Sequence, residues 1–156
     1  MSKKKMIILS TICIILSIVM GAVGIYALNK KPSMTAEQVV SELQRGSLPI
    51  DDIIVYDKNT DENKLLGRPN QYISKVNFAD TRLEQFDPAS PNGGTIEAFN
   101  STSDLNRRKA HNEMIMKTYP VFTEYLFVHG KYIMRLSKDL SPEQAKEYEE
   151  IFMNIK

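Results

Sequence analysis

Glu97 and Glu124 each stand within an apolar stretch, TIEAF and TEYLF. If those stretches were neighbouring strands, the two carboxyls could divide the acid and base roles of a hydrolase. The flanking residues add no further signal for that chemistry. A nucleophilic serine would need a histidine base and an orienting acid. Ser74, between Tyr72 and Val76, has no such context. His111 and His129 are the only histidines, and neither belongs to an H-x₃-H or H-E-x-x-H spacing, so no zinc site is expected. His111 reads as a flank of a buried stripe with Met114 and Ile115, and His129 as a wet residue at a hairpin tip. Residues 57–63, DKNTDEN, place oxygen ligands at alternate positions like the start of a calcium loop. The sixth and twelfth positions are Glu62 and Arg68, where an EF-hand needs glycine and a bidentate glutamate, so a solvated turn is expected. Gly93-Gly94 precedes a strand, not a helix, and cradles no phosphate. These residues predict no cofactor, no metal and no catalytic activity.

A more specific grouping is Arg68, Tyr72, Lys75 and Arg82, around the turn Gly67-Arg68-Pro69 and the strand after it. Two readings apply. Arg68 holds a structural carboxylate such as Asp80, or the four form a partner surface bordered by the loop at residues 81–94.

The elements that position these residues follow from periodicity and capping. Thr35 with Gln38 three residues on is a capping box for a helix carrying Val39, Val40 and Leu43 and ending at Gly46. Residues 50–56 read as a short strand. In residues 71–80, Tyr72, Val76 and Phe78 share one face and Lys75 and Asn77 the other, the period of a half-buried strand. Pro88, Pro91, Gly93 and Gly94 predict a mobile loop over 81–94, and residues 95–100 a further strand. Ser101–Ser103 offer caps for a helix to about Thr118, and this use makes the Asn100-Ser101-Thr102 sequon coincidental. Residues 124–128 and 131–137 predict strands joined at His129-Gly130. Ser141-Pro142-Glu143-Gln144 opens a last helix with Ala145, Tyr148, Phe152 and Ile155 on one face. The expected fold is α+β, an antiparallel sheet of four or five strands with helices packed on one face.

Ahead of this domain lies residues 6–28, MIILSTICIILSIVMGAVGIYAL, with no charged residue. As a helix it would reach roughly 34 Å, enough for a hydrocarbon core of about 30 Å. Lys3, Lys4 and Lys5 precede it and Lys30 and Lys31 follow, a modest bias for a cytoplasmic N-terminus. The expected organisation is a basic cytoplasmic tip at 1–5, a transmembrane anchor at 6–28, a tether at 29–34 and an extracytoplasmic domain at 35–156. Cleavage near Ala22-Val23-Gly24, releasing a secreted protein, is the alternative. Cys13 is the only cysteine and is preceded by Ile12, so no lipid anchor is expected there and no disulfide or thiol site in the domain. The five lysines are the only charges before Pro32 and leave 15 basic against 19 acidic residues, a net of −4. Such a domain is a poor match for nucleic acid. Its one basic run, Arg107-Arg108-Lys109, reads as a solvated helix face.

LLGRPNQYISKVNFADTR, GGTIEAF and EYLFVHGKYIMRLSKDLSPEQAKEYEEIF resemble an uncharacterised family of small extracytoplasmic proteins of Gram-positive bacteria. These follow a lipoprotein signal or a membrane anchor. The resemblance spans residues 48–152 and implies location and fold kinship, and nothing catalytic. The expected function is therefore a single-pass, membrane-tethered interaction domain for an unknown protein or envelope component. A hydrolase using Glu97 and Glu124 is the enzymatic alternative.

Overall fold

A computed structural model describes Pro32 and residues 34–156. Residues 6–28, on which the anchor and cleavage expectations rest, lie outside the described residues. Within the described residues no helix is long and apolar enough to cross a membrane.

Helix α1 (Ala36–Arg45) begins where Thr35 Oγ1 accepts from Gln38 N–H and the Gln38 side chain accepts from Thr35 N–H. Strands β1 (Ile50–Val55), β2 (Tyr72–Asp80) and β3 (Gly93–Phe99) follow. Helix α2 (Thr102–Thr118), capped by Ser101, then runs into a single 3₁₀ turn at Pro120–Phe122. Strands β4 (Glu124–His129) and β5 (Tyr132–Ser137) form a hairpin, and α3 (Pro142–Met153) closes the domain behind a second capping box, Ser141 with Gln144.

The five strands form one antiparallel sheet in the order β1-β2-β3-β5-β4. The class is α+β, with three helices among the described residues. Successive side chains on a strand point to opposite faces, and the two faces differ in chemistry. Val76, Phe78, Ile96, Ala98, Met134 and Leu136 meet Val39, Val40 and Leu43 of α1 and Ala145, Tyr148 and Phe152 of α3 in the main core. Phe78 and Tyr148 stack there, ring centroids 5.8 Å apart. Each buried valine, leucine, isoleucine, methionine or phenylalanine among them contributes about 1.5–3 kcal/mol.

Helix α2 departs from the expected arrangement: it lies on the opposite face. Its Leu105 packs with Phe99 and Ile133, which alternate with the residues of the main core. Only Leu105 and Asn112 of α2 are buried, while His111 and Met114 are exposed. The helix therefore carries no apolar stripe from which its side of the sheet could be read. Three smaller expectations also change. Tyr72 does not share a face with Val76 and Phe78: the register shifts between Tyr72 and Ser74, and its ring packs on the α2 side with Phe99, Leu105 and Ile133. Gly93 and Gly94 belong to β3, not to a loop, because the strands close tightly there. A Cβ on Gly93 would stand 2.4 Å from both Phe78 O and Asp80 N. His129 is half-buried, its Nε2 2.8 Å from Ile155 O and its ring edge-on to Phe152.

Candidate functional site

On the α2 side the sheet presents rows of polar residues fixed by register. Lys75 stands opposite Glu97, Asn77 opposite Thr95, and Thr95 opposite Arg135. Opposite charges on directly facing residues attract across the ladder, yet Lys75 and Glu97 are each held by a further partner from outside the sheet.

Lys75 is held by Asp61, fully buried in the loop between β1 and β2. Asp61 Oδ1 accepts from Lys75 Nζ at 3.0 Å, and its Oδ2 accepts from Tyr72 OH at 2.7 Å. Leu65 and Leu66 N–H donate to the same Oδ2 at 2.9 and 3.0 Å. Burial by itself would raise this carboxyl. The hydrogen bonds from Tyr72, Lys75, Leu65 and Leu66 outweigh it and hold Asp61 well below the usual carboxylate range. The Tyr72 phenol is pushed up, first by burial and then by its bond to Asp61. Lys75 Nζ also lies 4.3 Å from the centroid of the Tyr56 ring.

Glu97 is likewise fully buried. Arg108 of α2 grips it through Nε at 3.0 Å and Nη2 at 2.7 Å, a two-pronged pair that suits guanidinium geometry. Arg108 is therefore turned inward, not set on a solvated face, because the buried carboxylate needs a cation. Arg135 of β5 reaches Glu124 Oε2 at 2.8 Å and places Nη2 3.9 Å from Glu97. The two glutamates singled out in the sequence thus share one face and one arginine. Both are ion-paired.

On this face two adjoining cavities open, one of about 320 Å³ between Asn63 and α2 and one of about 410 Å³ walled by residues 62–63, 90–95 and 121–124. They share Asn63, Phe122, Glu124 and Arg135 as walls. The larger is bordered by Asn77, Thr95 and Ser137, the smaller by His111, Asn112, Ile115 and Met116. Asn112 and Arg135 line the smaller cavity, and their Nδ2 and Nε atoms, closed off from solvent, make no hydrogen bond. An unpaired buried polar group costs about 1–3 kcal/mol. On the walls Val121 and Phe122 stand more than half exposed. A larger hollow of about 580 Å³ lies between α1 and the end of α3, walled by Met34, Ile151 and Ile155. Neither unpaired donor lies on its walls.

The four residues grouped in the sequence do not form one surface. Tyr72 and Lys75 meet at Asp61, both buried beneath the cleft. Arg82 lies toward the α3 side, its guanidinium on Asp80 at 2.7 Å and on Glu147 at 2.7 Å. Arg68 is exposed in its turn. The buried Asp80 is held by Arg82 and by Tyr148 OH at 2.9 Å, not by Arg68. Burial would raise Asp80 too, and the Arg82 and Tyr148 bonds bring it below its ordinary value. In the DKNTDEN segment, Asp57 Oδ1 accepts from the N–H of Asn59 and Thr60, so both aspartates serve the loop's own fold. Among the described residues no three histidine, cysteine or acidic side chains converge as a metal site. Sequence reasoning passed over Asp61, Asn112 and Arg135, and set Arg108 on the surface. The available signal was charge set within apolar strands, as in Glu97 of GGTIEAF and Arg135 of YIMRLS, which requires a buried partner.

Comparison of the chain with protein-family models, with curated proteins and with solved structures finds no match.

Proposed function

We propose that this protein is a membrane-tethered extracytoplasmic binding domain without catalytic activity, and that the cleft between the Asp61 loop and α2 is its binding surface. The tether is residues 6–28, whose length and lack of charge suit a single span. The observation that carries the binding role is the pair of adjoining open cavities of about 410 and 320 Å³, which meet at Phe122, a side chain left 59 % exposed. An exposed aromatic ring beside an open cavity gains from burial against a bound partner. The absence of catalysis is supported by the commitment of Lys75, Arg108, Arg135, Glu97 and Glu124 to ion pairs. Such pairs hold a rigid floor.

The test places a photo-crosslinking residue at Phe122, on the cleft rim, and at Lys146, on exposed α3, in the full chain within intact cells. An envelope adduct formed from position 122 and not from 146 is expected. Equal adducts at both positions, or none at either, would overturn the assignment of the cleft.

A further inference from the structure

We infer that strand β4 is an association edge, on which a second copy of this chain pairs antiparallel, β4 against β4, to continue the sheet across two molecules. The inference is independent of the cleft and of what the cleft binds. β1 and β4 are the two outer strands of the sheet. An outer strand presents backbone N–H and C=O groups with no ladder partner, and such a row recruits further strands unless it is guarded. β1 is guarded. Asp51 and Asp52 stand in it, its register breaks between Asp51 and Ile54, and Asp52 takes φ +43°. β4 (EYLFVH) has no proline, no break in register and, after Glu124, no lysine or acidic residue.

The hairpin turn decides which groups face outward. Gly130 and Lys131 form a two-residue turn with Gly130 at φ +55°, flanked by the pair His129 and Tyr132. The pair that closes such a turn exchanges both backbone bonds, and bonded pairs alternate with unbonded ones along the ladder. Tyr125, Phe127 and His129 therefore direct their N–H and C=O groups at β5, while Glu124, Leu126 and Val128 direct theirs away from the sheet. Glu124 N–H agrees with this parity, for it lies 3.4 Å from Met116 Sδ on α2. Among the described residues nothing outside β4 and β5 bonds the N–H or C=O of Leu126 or Val128.

One register uses these groups fully. With Met116 on the Glu124 donor, Leu126 of one copy must stand opposite Val128 of the other, and Phe127 lies on the two-fold axis. Each Leu126–Val128 pair then exchanges both backbone bonds. The side chains suit that register. Leu126 meets Val128 on the α2 face, while Phe127 meets Phe127 and Tyr125 meets His129 on the other, and all are half-buried in a single copy. Glu124 falls opposite Gly130, where an added Cβ would touch nothing, so the end occupied by Met116 is not crowded. Lys131 follows at the same end, so the acidic start of each strand meets a basic turn and no like charges face each other. Pairing of β1 with β1 would instead crowd the aspartates of both copies along one seam. A foreign strand has no reason to match both the occupied donor and the bare glycine, whereas a second copy does so by symmetry.

The experiment is sedimentation equilibrium of the purified full chain in detergent, with Cys13→Ser so that every thiol is an introduced one. A dimer is expected. Val128→Pro removes an N–H that points away from β5, a place where an outer strand tolerates proline. Because both copies lose that donor, association should weaken about tenfold or more. Phe127→Cys should form an intermolecular disulfide under mild oxidation. Facing residues of an unbonded pair have α-carbons about 4.5 Å apart, within the roughly 4.4–6.8 Å that a disulfide spans. Tyr125→Cys, on the same face of the strand, would lie roughly 13 Å from its counterpart and should not bridge. A monomer up to the solubility limit, a dimer undiminished in folded Val128→Pro, or equal bridging at 125 and 127 would overturn the pairing. If circular dichroism shows the proline variant unfolded, the two cysteines decide alone: bridging at 127 only upholds the pairing, and any other pattern overturns it.

Discussion

At Asp61 a single carboxylate organises the floor of the cleft, because four donors converge on it. Removing its charge leaves Lys75 buried and unpaired, so Asp61→Asn should lower stability by about 3–5 kcal/mol in a denaturant titration. Replacing both partners, Asp61→Asn with Lys75→Met, should recover part of that loss, since no buried charge is then stranded. The pH dependence follows from the same contacts. Asp61 and Asp80 are both held below their ordinary values in the folded chain. Their stabilising contribution is therefore complete above the unfolded value of about 3.9 and is lost as pH falls from there toward the folded values. Unfolding free energy measured across that window should fall more gently in Asp61→Asn than in the parent. The same slope in both would show that Asp61 is not the titrating group.

At the level of elements, the capping boxes and the glycine pair make separable contributions. Thr35 and Ser141 each satisfy an N–H in the first turn of their helix and receive a side-chain bond in return. Thr35→Ala and Ser141→Ala should each cost about 1 kcal/mol, read as a shift in thermal midpoint. Gly93 is different in kind, for the atoms its missing Cβ would meet are backbone atoms of β2 and cannot step aside. Gly93→Ala should cost about 1–3 kcal/mol through overpacking, and hydrogen exchange should quicken at the β2–β3 end near Ala79 and Asp80. The caps and the strand alternation are legible in the sequence alone. Thr35-x-x-Gln38, Ser141-x-x-Gln144 and the alternation of Lys75 and Asn77 with Val76 and Phe78 are patterns within a few residues of chain, and the elements begin within a residue or two of where those patterns place them. Tyr72 leaves that alternation, because the strand register shifts just after it. The side of the sheet taken by α2 is not legible in this way. Leu105 is the helix's sole buried apolar residue, and its second buried residue, Asn112, reads as surface in any hydropathy profile.

For the whole molecule, the tether proposal makes one direct prediction. Protease added to intact cells should digest residues 35–156, and the N-terminus of the membrane fraction should still read Met1 or Ser2. A protected domain would place it inside the cell, and a terminus near residue 25 would make it a released protein. The two faces of the sheet give this domain a division of labour. The α1 and α3 face supplies the apolar burial that an assembly of this size needs without a disulfide. The α2 face carries the ion pairs of Lys75, Arg108 and Arg135, the two adjoining cavities and the exposed Val121 and Phe122.

By itself the sequence determined the order of elements, the starts of α1, β2 and α3, the α+β class and the place of Lys75 and Asn77 on the second face of β2. All of these depend on residues near one another along the chain, where capping, turn chemistry and side-chain alternation act. Only the tertiary structure decided that Lys75 finds Asp61, that Glu97 finds Arg108, and that Arg82 rather than Arg68 holds Asp80. Ion pairing depends on distance in space, and many carboxylates compete for each cation until folding leaves one within reach. The same holds for the cleft: its two unpartnered donors come from a helix and a strand that the chain alone does not bring face to face.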